Sequence, residues 1–284
     1  MNIGIIGLGN MGQMLVKGLC KSGMISPRDL IVYNRTAEKA TALRQLYPFQ
    51  VAECAQTVCQ KADILFLCTK PLDMLPLLRE LSLPPHLHLV SVAAGVSLAD
   101  LESVHSGPVS KVIPTVTSEE NRGVSLYMNN AKVTPSERAA LLQLLEALGT
   151  VEEITEAAIE TATILTSSAP GLIAGILEEF AQAAVRHTPE LELDSARRML
   201  VETMIGTSLL LERQGLGFDQ LIERVATKGG ITQEGLSVLG RTLPRAFDDL
   251  LHMTTEKHTL LKQLVRRQND SHTSKTPTQK GESQ

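Results

Sequence analysis

The first twelve residues leave this chain few options. An apolar run, Ile3 to Ile6, meets a glycine cluster, Gly7-Leu8-Gly9-Asn10-Met11-Gly12, and an amphipathic run from Met14 to Leu19 follows. That succession reads as buried strand, tight turn and helix start. The cluster spells G-x-G-x-x-G where a dinucleotide-binding unit needs it. Gly7 permits the turn, Gly9 lets a pyrophosphate approach the backbone, and Gly12 lets helix and strand pack closely. The helix start, at Asn10 and Met11, then offers unpaired N–H groups and a positive dipole end to phosphate. Without its flanking strand and helix the same cluster would be only a glycine-rich turn.

Composition narrows the partners. Hydrophobic residues make up 43% of the 284 residues, enough for a substantial core, whereas aromatics are 3% and Trp is absent. So sparsely aromatic a chain is poorly equipped to stack bases, and a net charge of −4 offers no basic footprint, so neither nucleic acid nor an anionic membrane is expected as partner. Cys20, Cys54, Cys59 and Cys68 form no C-x-x-C pair and have no His at ligand spacing. They read as reduced cytoplasmic thiols, with no metal site expected. The apolar N-terminus lacks a preceding basic region, and no run of about 20 apolar residues occurs, so neither a secretory leader nor a membrane span is expected.

Along the chain, strand-like runs at Leu30–Asn34, Ile64–Cys68, Leu87–Val92, Val109–Ile113 and Val124–Met128 alternate with helical patterns. Thr36 is placed to cap the helix that runs to Leu46, and Ser97-x-x-Asp100 and Thr134-Pro135-x-Glu137 read as capping boxes. This alternation predicts a Rossmann-like, doubly wound, mostly parallel sheet over residues 1–155. From 156 to 265 the pattern is helical, punctuated at Pro170-Gly171, Thr188-Pro189, Gly215–Gly217 and Gly229-Gly230. Leu172–Ala184 and Met199–Leu211 are apolar on more than one face. That predicts an all-α dimerisation domain, forming a homodimer or higher oligomer, with a thick monomeric bundle as the alternative. Residues 266–284 are polar and read as a disordered tail.

The second strand ends Tyr33-Asn34-Arg35-Thr36, with no carboxylate to bind a ribose 2′-hydroxyl. Arg35 carries a permanent charge on a planar fork suited to phosphate, and Asn34 and Thr36 add hydrogen-bonding groups. NADP(H) is therefore expected over NAD(H).

These segments resemble those of the pyrroline-5-carboxylate reductases. The glycine cluster looks like the family's opening, and Asn34-Arg35 stands where the family carries its 2′-phosphate contacts. Thr69-Lys70-Pro71, Ser91-Val92-Ala93-Ala94-Gly95 and Val112-Ile113-Pro114 are similar to three of its strand ends. The resemblance implies that Thr69, Lys70, Pro71, Ala93, Ala94 and Gly95 join the cofactor site. In the helical half, Glu160 to Pro170 resembles the segment that the family writes Gly-Ser-Gly-Pro-Ala-Tyr. Lys228-Gly229-Gly230-Ile231-Thr232 resembles the loop written Ser-Pro-Gly-Gly-Thr-Thr, which in the family holds the substrate carboxylate. The resemblance thus implies substrate contacts from Glu160, Ser168, Pro170, Gly229, Gly230 and Thr232. It leaves Lys70, Ser168 and Thr232 as the catalytic candidates. Exposed N–H groups at Gly229 and Gly230 and the Thr232 hydroxyl agree with that role.

Four positions depart from the family pattern: Thr115 for Asn, Leu172 for Tyr, Lys228 for Pro and Ile231 for Thr. They suggest a divergent branch similar to the late-competence paralogues of spore-forming bacteria. The reaction implied is reduction of 1-pyrroline-5-carboxylate, an imino acid, to L-proline by NADPH in proline biosynthesis. A protonated imine is already electrophilic, which suits a chain with no evident catalytic His or Cys. Two alternatives stand beside it. A regulatory paralogue could keep the nucleotide site with little or no turnover. A 3-hydroxyacid dehydrogenase shares the opening but needs a catalytic lysine early in its second domain, and no lysine occurs between Lys132 and Lys228.

Overall fold

The structure, a computed structural model, describes residues 1–273, with side chains through residue 269. The chain divides into two compact units, residues 1–168 with 254 onward, and residues 169–253.

The first unit is built on one eight-stranded sheet. In chain order its strands are β1 (Ile3–Ile6), β2 (Leu30–Tyr33), β3 (Gln50–Val51), β4 (Ile64–Leu67), β5 (His88–Ser91), β6 (Val109–Ile113), β7 (Gly123–Asn129) and β8 (Gly149–Glu153). Their spatial order is β3-β2-β1-β4-β5-β6-β7-β8, with β6 and β7 antiparallel and the other pairs parallel. The strand order reverses direction beside β1, which places a crevice at the carboxyl ends of β1 and β4.

Helices cover both faces. They are α1 (Asn10–Ser22), α2 (Ala37–Arg44), α3 (Ala55–Lys61), α4 (Pro71–Glu80), α5 (Leu98–Glu102), α6 (Pro135–Glu146) and α7 (Ile159–Thr163). On one face Ile3, Ile5, Val32 and Phe66 pack with Met14 and Leu15 of α1 and Leu141 and Leu145 of α6. On the other, Ile6, Leu65, Leu67 and Leu89 pack with Val58 of α3 and Met74 and Leu78 of α4. Each such side chain contributes roughly 1.5–3 kcal/mol when fully buried. The expected capping boxes are present at Ser97/Asp100 and Thr134/Glu137, whereas Thr36 occupies the N-cap position of α2 without a side-chain bond.

Two strands escaped the sequence reading. β3 has two residues, too few to show a period. β8 ends in Glu152-Glu153, and Glu153 accepts hydrogen bonds from Arg138 (2.7 Å) and the Tyr127 hydroxyl (3.1 Å). Charge on an edge strand masks its hydrophobic signal while protecting it from pairing with other chains.

The second unit contains α8 (Ala169–His187), α9 (Leu193–Gln214), α10 (Phe218–Val225) and the first part of α11 (Ile231–Thr273). α8 and α9 pack on each other, and Arg197 grips Glu178 through Nε at 2.8 Å and Nη2 at 2.5 Å while its Nη1 donates to Asp194 at 2.9 Å. Arg197 above all, with Gln182 assisting, holds the Glu178 carboxyl down at about 2.

Two expectations need correction. Pro170-Gly171 does not end a helix: the segment from Ile159 continues through a π-helical turn at Ile164–Ser168 into α8. Pro170 has no N–H to donate, and the wide turn just before it takes up the altered hydrogen-bond pattern. The compact units divide after Ser168 and again within α11, between Met253 and Thr254. The tail expected from Arg266 is helical through Thr273. Val265 is 2% exposed in the sheet core, and the Gln268 side chain donates to the Leu72 carbonyl at 3.0 Å. Packing thus holds a segment whose composition is polar. Residues 274–284 of the expected tail lie outside the described residues.

Candidate active site

The glycine turn has the geometry its spacing requires. Gly7 has φ +100°, and a Cβ there would lie 2.8 Å from the Cys68 carbonyl oxygen. At Gly12 a Cβ would lie 1.9 Å from the Gly7 oxygen, so α1 can approach β1 only without a side chain. Gly9 is the N-cap of α1, and a Cβ there would meet nothing within 4 Å, leaving the backbone open to a ligand. The N–H groups of Asn10 and Met11, in the first turn of α1, have no partner among the described residues.

Asn34 has a different duty from the one its position suggested. Its Oδ1 accepts from the Leu8 N–H at 2.7 Å and its Nδ2 donates to the Thr36 carbonyl at 2.8 Å. The side chain ties the end of β2 to the glycine turn and fixes both. Arg35 and Thr36 are exposed beside it, and Arg35 makes no ion pair or side-chain hydrogen bond among the described residues.

Thr69, Lys70 and Pro71 follow β4, with Lys70 as N-cap of α4 and Pro71 in its first turn. The Thr69 hydroxyl is buried with no hydrogen-bond partner, while Lys70 is exposed. A buried hydroxyl left unpaired is a cost that a ligand's polar group can remove. Ala93, Ala94 and Gly95 follow β5, with the Ala93 N–H donating to Ser91 Oγ at 3.3 Å. One unit therefore gathers every expected cofactor residue at the carboxyl ends of β1, β2, β4 and β5. The orphaned Thr69 hydroxyl and the open cradle at Gly9 both fit a bound dinucleotide.

Burial pushes the Cys68 thiol up to about 12, and those of Cys20 and Cys59 to about 11. None of these three is a ready nucleophile.

Glu160 is not on a solvated face. Its carboxylate is held by Lys262 of α11 at 2.5 Å, and Glu156 lies 3.8 Å from the same ammonium. Ser168 is half-buried at the end of the π-helical turn. Of the other expected substrate residues, Pro170, Gly229, Gly230 and Thr232 belong to the second unit. There the expectation of exposed N–H groups at Gly229 and Gly230 fails. Gly229 donates to the Gln233 side chain at 2.7 Å, and Gly230 donates to the Thr227 carbonyl at 2.9 Å. Gln233, one turn into the helix, closes the loop back on itself. The unpaired donors are those of Ile231 and Thr232, in the first turn of α11.

The sequence reading missed Lys111. It stands in the middle of β6 between Ser110 and Val112, opposite Ser91, and is 1% exposed. The available signal was a lysine inside a strand whose other residues are Val109, Ser110, Val112 and Ile113.

The second unit also explains its own apolar excess. Among its described residues only Ala181 and Ala196 count as buried core, whereas Ile176, Phe180, Met199, Ile205 and Phe218 are exposed. The two apolar stretches do not fill a thick single-chain bundle.

A family model described as pyrroline-5-carboxylate reductase dimerisation matches residues 156–261, and one described as NADP oxidoreductase coenzyme F420-dependent matches residues 2–95. Pyrroline-5-carboxylate reductase 3 of Bacillus subtilis is 36% identical over 269 residues, covering 94% of this chain and 98% of the relative. ComE operon protein 4 of the same organism is 30% identical over 263 residues, covering 91% and 95%. The solved structure of a pyrroline-5-carboxylate reductase from Coxiella burnetii superposes with a TM-score of 0.83 at 24% identity, over 92% of this chain and 98% of that one, which establishes the shared fold. With similarity running nearly end to end, the chain belongs to the pyrroline-5-carboxylate reductase family.

Proposed function

We propose that this oxidoreductase reduces 1-pyrroline-5-carboxylate to L-proline with NADPH. The observation that carries the reading is the near full-length similarity to a pyrroline-5-carboxylate reductase, joined to a dinucleotide cradle that lacks a ribose-binding carboxylate and presents Arg35 instead. The α1 amides would receive the pyrophosphate, Arg35 and Thr36 the 2′-phosphate, and Thr69 to Pro71 and Ala93 to Gly95 the nicotinamide end. When bound, the reduced nicotinamide supplies the hydride that adds to the imine carbon.

The chain's own task is binding and alignment. The imine nitrogen enters already protonated, so no strong acid is required of Lys70, Ser168 or Thr232. Each instead supplies a hydrogen bond or charge that orients the ring. The Thr232 hydroxyl and the first-turn amides of α11 would meet the carboxylate. Because Gln233 occupies the Gly229 N–H, the donors available to it start two residues later than the family loop suggested. We further infer a homodimer formed through residues 156–265, and a cytoplasmic protein with free thiols.

The test is oxidation of NADPH on addition of 1-pyrroline-5-carboxylate, with proline identified as product, beside NADPH and NADH affinities by fluorescence titration. Turnover with NADPH as the preferred donor supports the reading, and tight NADPH binding without proline formation overturns it. A second reading, a nucleotide-binding regulatory paralogue, is favoured by Lys228 and Ile231 in the loop and by the similarity to ComE operon protein 4. Under it, Lys228→Pro combined with Ile231→Thr raises a feeble turnover, whereas under the first reading the double change leaves activity near its starting level.

A further inference from the structure

Helix α4 carries a defect in its own sequence. Pro76 stands inside it, between Pro71 and Glu80. A regular α-helix would bond the Leu72 carbonyl to the N–H of residue 76, and proline has none. A proline ring also crowds the carbonyl four residues before it. Gln268 of α11 supplies what is lacking: its side-chain amide donates to the Leu72 carbonyl at 3.0 Å. Pro71, Leu72, Val265 and Gln268 line one narrow cleft at this place.

A second weak point follows β5. Gly95 is buried with φ +83°, and it has no side chain of its own to hold the segment in place. Leu261, about two turns before Gln268 on α11, fills that space. A Cβ at Gly95 would lie 3.0 Å from Leu261 Cγ and 3.2 Å from its Cδ2, and its three nearest neighbours are all atoms of Leu261. The succession Leu261, Val265, Gln268 has helical spacing, so the three share one face of α11. Between the outer two, Val265 enters the core cluster that also holds Met74 of α4 and Ala93. Asn269 adds a longer bond, its amide 3.4 Å from Asp100 Oδ1, in the capping box of α5. One helical face thus meets both segments that follow β4 and β5.

We propose that this face of α11 is a clamp on the nicotinamide side of the cofactor cradle, with Gln268 and Leu261 as positioning residues acting through Leu72 and Gly95. The inference rests on the assignment of 69–71 and 93–95 to the nicotinamide end made above. Gln268 fixes the first turn of α4, and with it the Thr69 hydroxyl and Lys70 just before. Leu261 fixes the glycine that ends 93–95. A reacting ring must be held to within about 0.5 Å of its productive place, so loosening either segment costs alignment. The contacts of Gln268 and Leu261 named here involve neither the glycine turn nor Arg35, where the adenosine half would bind. The clamp therefore acts on one end of the dinucleotide and leaves the other alone.

Two variants of the full-length protein test this. Gln268→Met removes the donor and keeps the length, and Leu261→Ala empties the space over Gly95. Calorimetry compares NADPH with 2′,5′-ADP, which carries the adenosine and the 2′-phosphate but no nicotinamide. Each variant is expected to weaken NADPH about 5- to 10-fold and leave 2′,5′-ADP unchanged, with Leu261→Met restoring most of the loss. Equal weakening of both ligands, or of neither, overturns the proposal. Hydrogen exchange in the nucleotide-free protein gives a readout that needs no cofactor. Faster exchange confined to 70–76 in Gln268→Met and to 93–98 in Leu261→Ala supports the clamp, and unchanged or uniformly faster exchange refutes it. Should the wild type bind neither nucleotide, the cofactor reading falls, while exchange still decides the clamp. Gln268 is only half-buried, so its variant carries the test if Leu261→Ala does not fold.

Discussion

The two units solve the problem of burying apolar surface in opposite ways. In the first, strands β1, β4 and β5 are buried along their whole length, and helices seal both faces. In the second, α8 and α9 pack on each other with only Ala181 and Ala196 buried among the described residues, while Phe180, Phe218 at 77% exposure and Ile205 are exposed. A sheet closed by its own chain needs no partner. A helical layer that buries so little must find more contact or forgo stability. The lesson is that similar hydrophobic content can specify a finished core or an interface, and only the distribution over helix faces separates the two.

The contrast can be broken most forcefully at the helical layer. Phe180→Asp combined with Ile205→Asp should convert the protein to monomers in sedimentation velocity and lower turnover by at least about 100-fold, because the cost of burying two carboxylates exceeds several kcal/mol. Persistence of the dimer would mean that the exposed apolar face is not the interface.

In the first unit the largest expected effect concerns pH. His88 is 1% exposed, and burial chiefly pushes it down to about 4. Its Nε2–H donates to Ser110 Oγ at 2.6 Å, and the Ser110 hydroxyl donates in turn to Asn129 Oδ1 at 2.6 Å, leaving Nδ1 without a partner. The folded protein therefore refuses a proton that the unfolded chain accepts below about 6.5. Stability from this group is complete above that value and declines as pH falls toward 4, by roughly 3 kcal/mol in total. Urea midpoints followed across that window in wild type and His88→Leu measure it, and parallel curves would contradict it.

Next comes the cofactor edge. Arg35→Ala should raise the NADPH dissociation constant by roughly 10- to 100-fold, the equivalent of about 1.5–3 kcal/mol for charge-assisted bonds, and leave NADH unchanged. An equal loss for both nucleotides would remove Arg35 from the 2′-phosphate site. The smallest effect is expected at Asn34→Ala, which strands the Leu8 N–H and loosens the glycine turn. We expect a loss of about 1–2 kcal/mol of stability, with both nucleotides weakened alike. Selectivity for NADPH lost with Asn34 would instead make it a direct phosphate contact.

Much of the first unit was legible because its signals are local. Glycine spacing, strand-length apolar runs and capping boxes act within a few residues of where they are written, and β6 lies where its apolar run predicted. The second strand's missing carboxylate was readable for the same reason. What stayed hidden depends on distant partners. The tether from Asn34 to Leu8 spans 26 residues, and the grip of Lys262 on Glu160 joins helices far apart in sequence. The helical state of 266–273 rests on Val265 meeting the sheet core. The donors of the loop at Gly229 were misjudged because Gln233, a residue of no special pattern, turns back to cap them.

The docking of α11 has a consequence for how the polypeptide is made. Leu72 and the Gln268 that bonds to it are 196 residues apart. At translation rates of 5–20 residues per second, the nascent α4 waits roughly 10–40 s for that partner to leave the ribosome. The portion synthesised earliest therefore receives its closing apolar contact, Val265, among the last to emerge, and until then it offers an unfilled notch to chaperones.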